Sequence, residues 1–197
     1  MKSVIIHGKR VSLESPKTGR PDAELWGVTR SNTQFWNGQL TDWTRWFDLH
    51  PIERTTYYPG VRNIRPKTLW WYAKQGATKP IYLLKAIPEV VASVTFPLDA
   101  VLKEFPREKH WYTCQVDYMI PFAILEGFTH IILNGIGVNK MPEYLQRHAG
   151  IPYWIGLARG MGIDIEVDPP SVYRTPPTLY GYEAAPQVLR NKEIRFR

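Results

Sequence analysis

The chain has 197 residues, of which 44% are hydrophobic and 22% charged, a composition typical of globular proteins that excludes an intrinsically disordered chain. This length is sufficient for one domain with a good core and is short for two domains of ordinary size. The formal net charge of +7 favours anionic partners such as nucleotides, nucleic acid or an acidic surface.

Cysteine usage and hydropathy indicate the compartment. The single cysteine, Cys114, excludes an intramolecular disulfide and a zinc site made only of cysteines, which fits a reducing environment. The sequence has no signal-peptide pattern, and no stretch approaches the roughly 20 apolar residues that a membrane span requires. We therefore expect a cytoplasmic protein that does not enter a membrane.

The first predicted strand is the β-branched run Val4 to Ile6, which ends at His7 and Gly8. Lys9, Arg10 and Ser12 follow. A glycine lets backbone N–H groups approach a phosphate while Lys and Arg supply charge, so this turn is a candidate anion cradle. It matches neither GxxxxGK[ST] nor GxGxxG, and a surface turn with solvated cations is the alternative.

Two further strands are predicted at Glu24 to Thr29, which leads into Arg30, and at Arg45 to Leu49. Because strand residues alternate sides, Asp48 and His50 point the same way near the carboxyl end of the third strand. Such a pair can orient a ligand hydroxyl or share a proton. The alternative is that Asp48 caps the following turn and that His50 is an ordinary loop residue.

The segment from Pro51 to Thr78 interleaves Arg and Lys with Tyr and Trp. Single-stranded nucleic acid sites use this composition, because bases stack on rings while phosphates meet cations. The same composition fits a loop followed by a helix, Lys67 to Gln75, whose Trp70 and Trp71 pack on the sheet, and this interpretation is favoured. The nucleic-acid alternative depends on four cations, Arg54, Arg62, Arg65 and Lys67.

The next predicted elements are a strand at Pro80 to Leu84, a short extended piece at Val94 to Phe96 and an amphipathic helix at Leu98 to Phe105. A second helix follows, with Thr113 as its expected N-cap and Pro121 inside it. Five of its apolar residues fall on one helical face, namely Val116, Met119, Ile120, Ala123 and Ile124. A helix N-terminus that faces a ligand crevice is an anion site.

Gly127 is expected to stop this helix, and the nearly all-apolar run His130 to Leu133 predicts a parallel strand buried on both faces. Open α/β sheets bind ligands at the carboxyl ends of their strands. The turn from Asn134 to Asn139, which includes Gly135, is therefore predicted to face a ligand.

The last predicted elements are a helix that includes Pro142 in its first turn and an edge strand at Ile163 to Val167. The helix continues, or restarts after Gly150-Ile151-Pro152, through Trp154 and Ala158. Glu143 and Arg147 in this helix are four residues apart, for which a surface ion pair is the default explanation. No metal-ligand spacing is recognisable in the sequence.

These elements predict an α/β fold: one Rossmann-like domain over residues 1–170, with a mostly parallel sheet of about six strands flanked by helices. Residues 171–197 are rich in proline, show no periodicity and end in RNKEIRFR, so we expect an extended basic C-terminal arm.

Several segments, in this order, resemble a family of tailed-bacteriophage proteins: ELWGVTR, RWFDLHP, FPLDAVLKEF, YTCQVDYMIPFAILEGFTHIILNGIGV, EYLQRHAGIPYWIGLARGMGIDIEV and PPTLYGYE. More distantly, the strand-glycine-hydroxyl start and the late helix-strand-glycine block are similar to Rossmann-like proteins of the hydroxymethyl-pterin pyrophosphokinase, flagellin-glycosylation and sialyltransferase type. The resemblance implies a Rossmann-like fold. It also implies binding of a nucleotide or nucleotide sugar and transfer of a group from a phosphate ester.

The resemblance matches Gly8 and Ser12 to the first turn of these relatives, Thr113 to the hydroxyl at the start of the late helix, and Gly135 to the glycine after the late strand. Two features depart from it. The relatives usually have a second glycine and a proline in the first turn. The phage relatives also usually have an aspartate where this chain has Gly137, which argues against metal-assisted chemistry.

The leading hypothesis is a phage-encoded transferase that uses a nucleotide or nucleotide sugar in the host cytoplasm, with Asp48 or His50 as the base. The alternatives are a non-catalytic protein that sequesters a nucleotide signal or a host protein, and a nucleic-acid-binding protein. For Cys114, the interpretation as a buried small side chain is favoured over a role as a nucleophile. The candidate ligand-binding residues are Gly8, Lys9, Arg10, Ser12, Arg30, Thr113, Gln115, Gly135, Glu143 and Arg147.

Overall fold

The computed structural model describes residues 1–8, 17, 19–28, 42–50, 79–88, 90–106, 109–136, 149–168 and 173. These residues form seven strands, three α-helices and a 3₁₀ turn at Lys109–Trp111. The strands are β1 Ser3–His7, β2 Glu24–Val28, β3 Arg45–Asp48, β4 Ile81–Leu83, β5 Ser93–Thr95, β6 His130–Asn134 and β7 Asp164–Val167. The helices are α1 Leu98–Glu104, α2 Gln115–Leu125 and α3 Gly150–Gly160.

The seven strands form one open, all-parallel sheet in the order β5-β4-β3-β2-β1-β6-β7. From β1 the chain builds outward on one side as far as β5, and then returns to place β6 on the other side of β1. The strand order therefore reverses between β1 and β6, which is the topological switch point of an open α/β sheet. The predicted α/β, Rossmann-like fold class is confirmed, with seven strands where about six were expected.

One face of the sheet packs against the helices through an apolar core. Val4 and Ile6 of β1 and Ile131 and Leu133 of β6 point to this face, where they meet residues of α1, α2 and α3. The indole of Trp26 is fully buried here. Its ring centroid lies 5.0 Å from that of Phe47, 5.6 Å from that of Phe122 and 5.3 Å from that of Phe128.

The opposite face carries a second apolar cluster over the middle strands, which includes Ile5, Leu25, Trp46 and Ile81. Toward β6 and β7 this face becomes polar. His130 and Asn134 lie on it in β6, and Asp164 and Glu166 lie on it in β7, because side chains two residues apart in a strand share a face. Strand β7 ends the sheet order, which confirms the predicted edge strand.

The predicted elements inside the described residues are confirmed with small changes in their bounds. The predicted apolar face of α2 is buried or partly buried, and Gly127 ends this helix region with φ +77°. The predicted N-cap was wrong: Cys114, with extended backbone, is the N-cap of α2, and Thr113 precedes it. The third helix begins at Gly150, three residues before the restart that was predicted after Pro152.

Three predicted elements lie outside the described residues. They are the helix at Lys67 to Gln75, the first turns of the helix after Pro142, and the C-terminal arm apart from Tyr173. Within the described ranges, no helix is long and apolar enough to cross a membrane.

Candidate functional site

The carboxyl ends of β1 and β6 meet at the switch point in close backbone contact. His7 pairs with Asn134 in the parallel register, and the Gly8 N–H donates to the Asn134 carbonyl oxygen at 2.8 Å. A Cβ atom on residue 8 would lie 2.6 Å from the Gly135 carbonyl oxygen, and Gly135 itself has φ +63°. Glycine is therefore required at both positions by the backbone itself. The Gly8 N–H serves to extend the strand pairing.

A chain of hydrogen-bonded side chains lies at this edge of the sheet. The Arg20 guanidinium donates to both carboxylate oxygens of Asp168, at 3.0 and 3.2 Å. The Asn134 Nδ2 donates to Asp168 Oδ2 at 2.9 Å, and the Asn134 Oδ1 lies 2.8 Å from His7 Nδ1. The four residues come from β1, β6 and the segments that flank β2 and β7, and they converge only through the sheet topology.

The chain of hydrogen bonds fixes the tautomer of His7. A carboxylate only accepts hydrogen bonds, so the amide of Asn134 must turn its NH₂ toward Asp168 and its oxygen toward His7. The Nδ1 of His7 therefore carries the proton, and Nε2 carries the lone pair. A histidine held in this way has the electronic form of a base or a hydrogen-bond acceptor.

Burial and hydrogen bonding set the charges along this chain. Burial lowers the pKa of His7 to about 4, against the opposing hydrogen bond to Asn134, so His7 is neutral near pH 7. Burial acts to raise the pKa of Asp168. The hydrogen bonds from Arg20 and Asn134 outweigh that effect and keep the pKa below its ordinary value. The chain thus runs from an ionised carboxylate to a neutral imidazole.

The predicted pair Asp48 and His50 is formed at the carboxyl end of β3. The Asp48 Oδ1 lies 2.8 Å from His50 Nδ1. The Asp48 side chain is 4% exposed, whereas that of His50 is 52% exposed. A buried carboxylate that holds one ring nitrogen directs the other, Nε2, outward, which is the arrangement of a general-base dyad.

Gln115 holds the backbone on both sides of this dyad. Its Nε2 donates to the Phe47 carbonyl oxygen at 2.7 Å, and its Oε1 accepts from the Leu49 N–H at 3.1 Å. The side chain therefore fixes the strand end that carries Asp48. Gln115 was predicted as a ligand-binding residue. The contacts of this residue are those of a positioning residue for the Asp48–His50 dyad.

The dyad and the switch point lie on the same edge of the sheet. Strand β2 separates β1 from β3, so the two groups are two strand spacings, about 10 Å, apart. On the face that carries both His7 and Asp48, the ring of Trp46 lies directly over Gly27 of β2. Any larger residue at position 27 would displace this ring.

The N-terminus of α2 binds a carboxylate of its own chain. Asp117 Oδ2 accepts hydrogen bonds from the Cys114 N–H at 2.7 Å and from both the N–H and the hydroxyl of Thr113 at 2.8 Å. These donors were predicted to hold an anionic ligand, and Asp117 occupies them. Asp117 is fully buried, and burial raises its pKa despite these hydrogen bonds. Asp117 was not among the site residues predicted from the sequence.

Cys114 is an inert thiol. Burial and the neighbouring Asp117 raise the pKa of Cys114 to about 12, so the nucleophilic thiolate is not populated at neutral pH. The Cys114 side chain is partly buried against the core, which favours a packing role over a nucleophilic one.

The predicted site residues are brought together in part. Gly8 and Gly135 meet at the switch point, and Thr113 and Gln115 lie beside each other at the start of α2. Six predicted residues lie outside the described part of the chain, namely Lys9, Arg10, Ser12, Arg30, Glu143 and Arg147. Their ligand-binding role stays a prediction.

The sequence analysis missed His7, Arg20, Asn134 and Asp168 as a group. The sequence separations are 127 residues for His7 and Asn134 and 148 for Arg20 and Asp168. One signal was available: His7, Asn134 and Asp168 each stand at or directly after the end of a predicted strand.

Comparisons of the chain with protein-family models, curated proteins and solved structures gave no match. The resemblance to phage proteins and the activity that it implies stay predictions.

Proposed function

We propose that the protein binds a nucleotide or nucleotide sugar at the carboxyl ends of β1 and β6 and transfers a group from it to an acceptor hydroxyl. The observation that carries this proposal is the Arg20–Asp168–Asn134–His7 chain at the switch point of an all-parallel sheet. Folds of this class bind their ligands at this point. The four polar residues include an ionised carboxylate and a neutral imidazole, which offer different hydrogen-bonding groups at this point.

The proposed division of roles follows from charge. His7 is fully buried and neutral, so we assign phosphate binding to other residues. The phosphates require cations, which the sequence places in the turn directly after Gly8, at Lys9 and Arg10. The net charge of +7 assists the approach of an anionic donor.

The Asp48–His50 dyad is the proposed base. The acceptor oxygen attacks the donor atom that carries the leaving phosphate, and the acceptor proton passes to Nε2 of His50. The bond to the phosphate oxygen breaks, and its electron pair leaves with the phosphate. Asp48 stabilises the imidazolium that forms. General-base catalysis of this kind raises the reaction rate by roughly 10²- to 10⁴-fold.

The first experiment is thermal unfolding of the full chain with nucleotides, nucleotide sugars and short single-stranded DNA, with and without Mg²⁺. A ligand that binds only the folded state raises the melting temperature by mass action. We expect a rise with one nucleotide or nucleotide sugar. A rise only with DNA that is abolished by added salt would instead support the nucleic-acid alternative. No rise with any ligand would contradict the proposed crevice.

The second experiment tests the dyad once a donor is known. His50→Gln should lower turnover about 10²- to 10⁴-fold with donor affinity nearly unchanged, because it removes the base and leaves the crevice intact. His110→Gln, which replaces another exposed histidine, is the matched control and should retain activity. A donor that binds and stays intact with every acceptor would favour the sequestration alternative.

A further inference from the structure

Three potential metal ligands meet at the edge of the sheet, on strands β6 and β7. His130 begins β6, and Asp164 and Glu166 lie in the edge strand β7. Each of the three side chains offers one ligand atom, and these three atoms lie within 4.8 Å of one another. The His130 Nε2 is 2.9 Å from Glu166 Oε1 and 3.7 Å from Asp164 Oδ2. The strand register places Asp164 directly beside His130.

These distances fit a small tetrahedral cation. Ligands about 2.0 to 2.2 Å from Zn²⁺ stand roughly 3.4 Å from one another in a tetrahedral site. The two measured separations, 2.9 and 3.7 Å, lie on either side of this value. Side-chain rotation of the two carboxylates can equalise them, because Asp164 and Glu166 are 65% and 43% exposed. The exposed side leaves room for water as a fourth ligand.

The surroundings orient each ligand. The His130 side chain is 9% exposed, and its Nδ1 lies 3.2 Å from the Ser3 hydroxyl. This hydroxyl can donate to Nδ1 when Nε2 carries the proton, and it can accept from Nδ1–H when Nε2 is bound to a metal. Arg20 donates to Glu166 Oε2 at 2.7 Å, which leaves Oε1 turned toward His130. Ligand histidines and carboxylates in metal sites usually have such partners.

We propose that His130, Asp164 and Glu166 form a divalent-metal site that binds one zinc ion. The mixed nitrogen and oxygen ligand set suits Zn²⁺ better than Mg²⁺ or Ca²⁺, which prefer oxygen ligands only. Two carboxylates and a neutral imidazole balance the charge of the ion. The site joins β6 to the edge strand β7. His130 and Asp164 are the first residues of β6 and β7, and Glu166 is the third residue of β7. None of the three belongs to the Arg20–Asp168–Asn134–His7 chain, so this proposal does not rest on the proposed transferase function.

The test is isothermal titration of the full chain with Zn²⁺, together with visible absorption of the Co²⁺-loaded protein as a readout of tetrahedral geometry. We expect one equivalent of metal and a rise in melting temperature with added Zn²⁺. Asp164→Asn changes an exposed side chain and should weaken binding at least tenfold without unfolding the protein. Ser3→Ala should weaken it roughly 10- to 100-fold.

Two control variants locate the metal. Asp99→Asn removes an exposed carboxylate from α1, near the other edge of the sheet, and should bind Zn²⁺ as the unchanged chain does. His50→Gln should also bind normally, because the dyad is not part of the site. Unchanged affinity in Asp164→Asn, or loss of binding in His50→Gln, would overturn the proposal. His130→Gln should abolish the Co²⁺ bands, with circular dichroism as the check on its fold.

Discussion

The two faces of β1, β6 and β7 use different interactions although the same strands form them. On the helix side, Val4, Ile6, Ile131, Leu133 and Ile165 are buried in one aromatic-rich core. On the other side, Ile5 and Ile132 belong to the second apolar cluster, and the polar residues toward the two ends of these strands, together with Arg20, form a continuous set of hydrogen bonds. That set runs from Ser3 through His130, Glu166, Arg20, Asp168 and Asn134 to His7.

The two faces differ in what their interactions contribute. An apolar face gains free energy by removing area from water and has no preferred partner at each position. A hydrogen-bonded face contributes less net free energy for each contact, but it fixes tautomers, rotamers and charge. The proposed metal site and the switch point both lie on the polar face, at opposite ends of the same strands. Arg20, which contacts Glu166 and Asp168, links the two.

Removing the largest ring of the apolar face should have the largest effect on stability. Trp26→Ala removes a fully buried indole that contacts three phenylalanine rings, so we expect a loss of about 3–5 kcal/mol in the free energy of unfolding. Urea unfolding measures this. Trp26→Phe keeps an aromatic ring and should lose clearly less. Equal losses in the two variants would show that ring packing does not dominate this face.

The apolar face was largely predictable from the sequence, because the spacing of apolar residues along each element indicates which side is buried. The helical spacing from Val116 to Ile124 predicted α2 and its buried side. The apolar run that ends at Leu133 predicted the buried strand β6. The alternation of acids and apolar residues in β7 gave the edge strand. These signals need only neighbouring residues, and the hydrophobic effect acts on any apolar partner.

The polar face was not predictable, because the register between strands decides which of its polar side chains meet. His130 appeared to be the first residue of an apolar run, and only the alignment with Asp164 across β6 and β7 makes it a candidate ligand. Asp48 and His50 were found because they are two residues apart at the carboxyl end of one strand. His7 and Asn134 were not paired, since nothing local in the sequence indicates that β6 lies beside β1.

Acid should destabilise the polar face through His7. The ordinary pKa of 6.5 applies in the unfolded chain, and burial lowers the pKa of His7 to about 4 in the folded one. The unfolded state therefore binds more protons between these values, and stability falls as the pH drops from about 6.5 to 4. The loss from this group is about 3 kcal/mol, since one pKa unit corresponds to about 1.4 kcal/mol.

The variant His7→Asn tests this effect, because its Nδ2 can still donate to Asn134. Urea unfolding at several pH values should show a flatter stability curve for the variant between pH 6.5 and 4. His110→Gln, at an exposed position, should keep the slope of the unchanged chain. The same slope in His7→Asn would mean that another group is responsible for the acid sensitivity.

The smallest effect on the free energy of unfolding is expected for Arg20, whose charge links the two ends of the polar face. Arg20→Met leaves Asp168 and Glu166 without their guanidinium partner, but both carboxylates reach water, so we expect a loss of only about 1–2 kcal/mol at pH 7. Lys103→Met, on the exposed side of α1, should change the free energy of unfolding by less than about 0.5 kcal/mol.

The pH dependence of the Arg20→Met variant separates its effect from that of His7. Because the pKa of Asp168 lies below its ordinary value of 3.8 in the folded chain, the stability that Arg20 provides is fully present above that pH. It is lost as the pH falls through the folded pKa. The difference between the unchanged chain and Arg20→Met should therefore stay constant from pH 7 to about 5 and shrink below pH 4. A difference that already disappears at pH 6 would contradict an ionised Asp168 as the partner of Arg20.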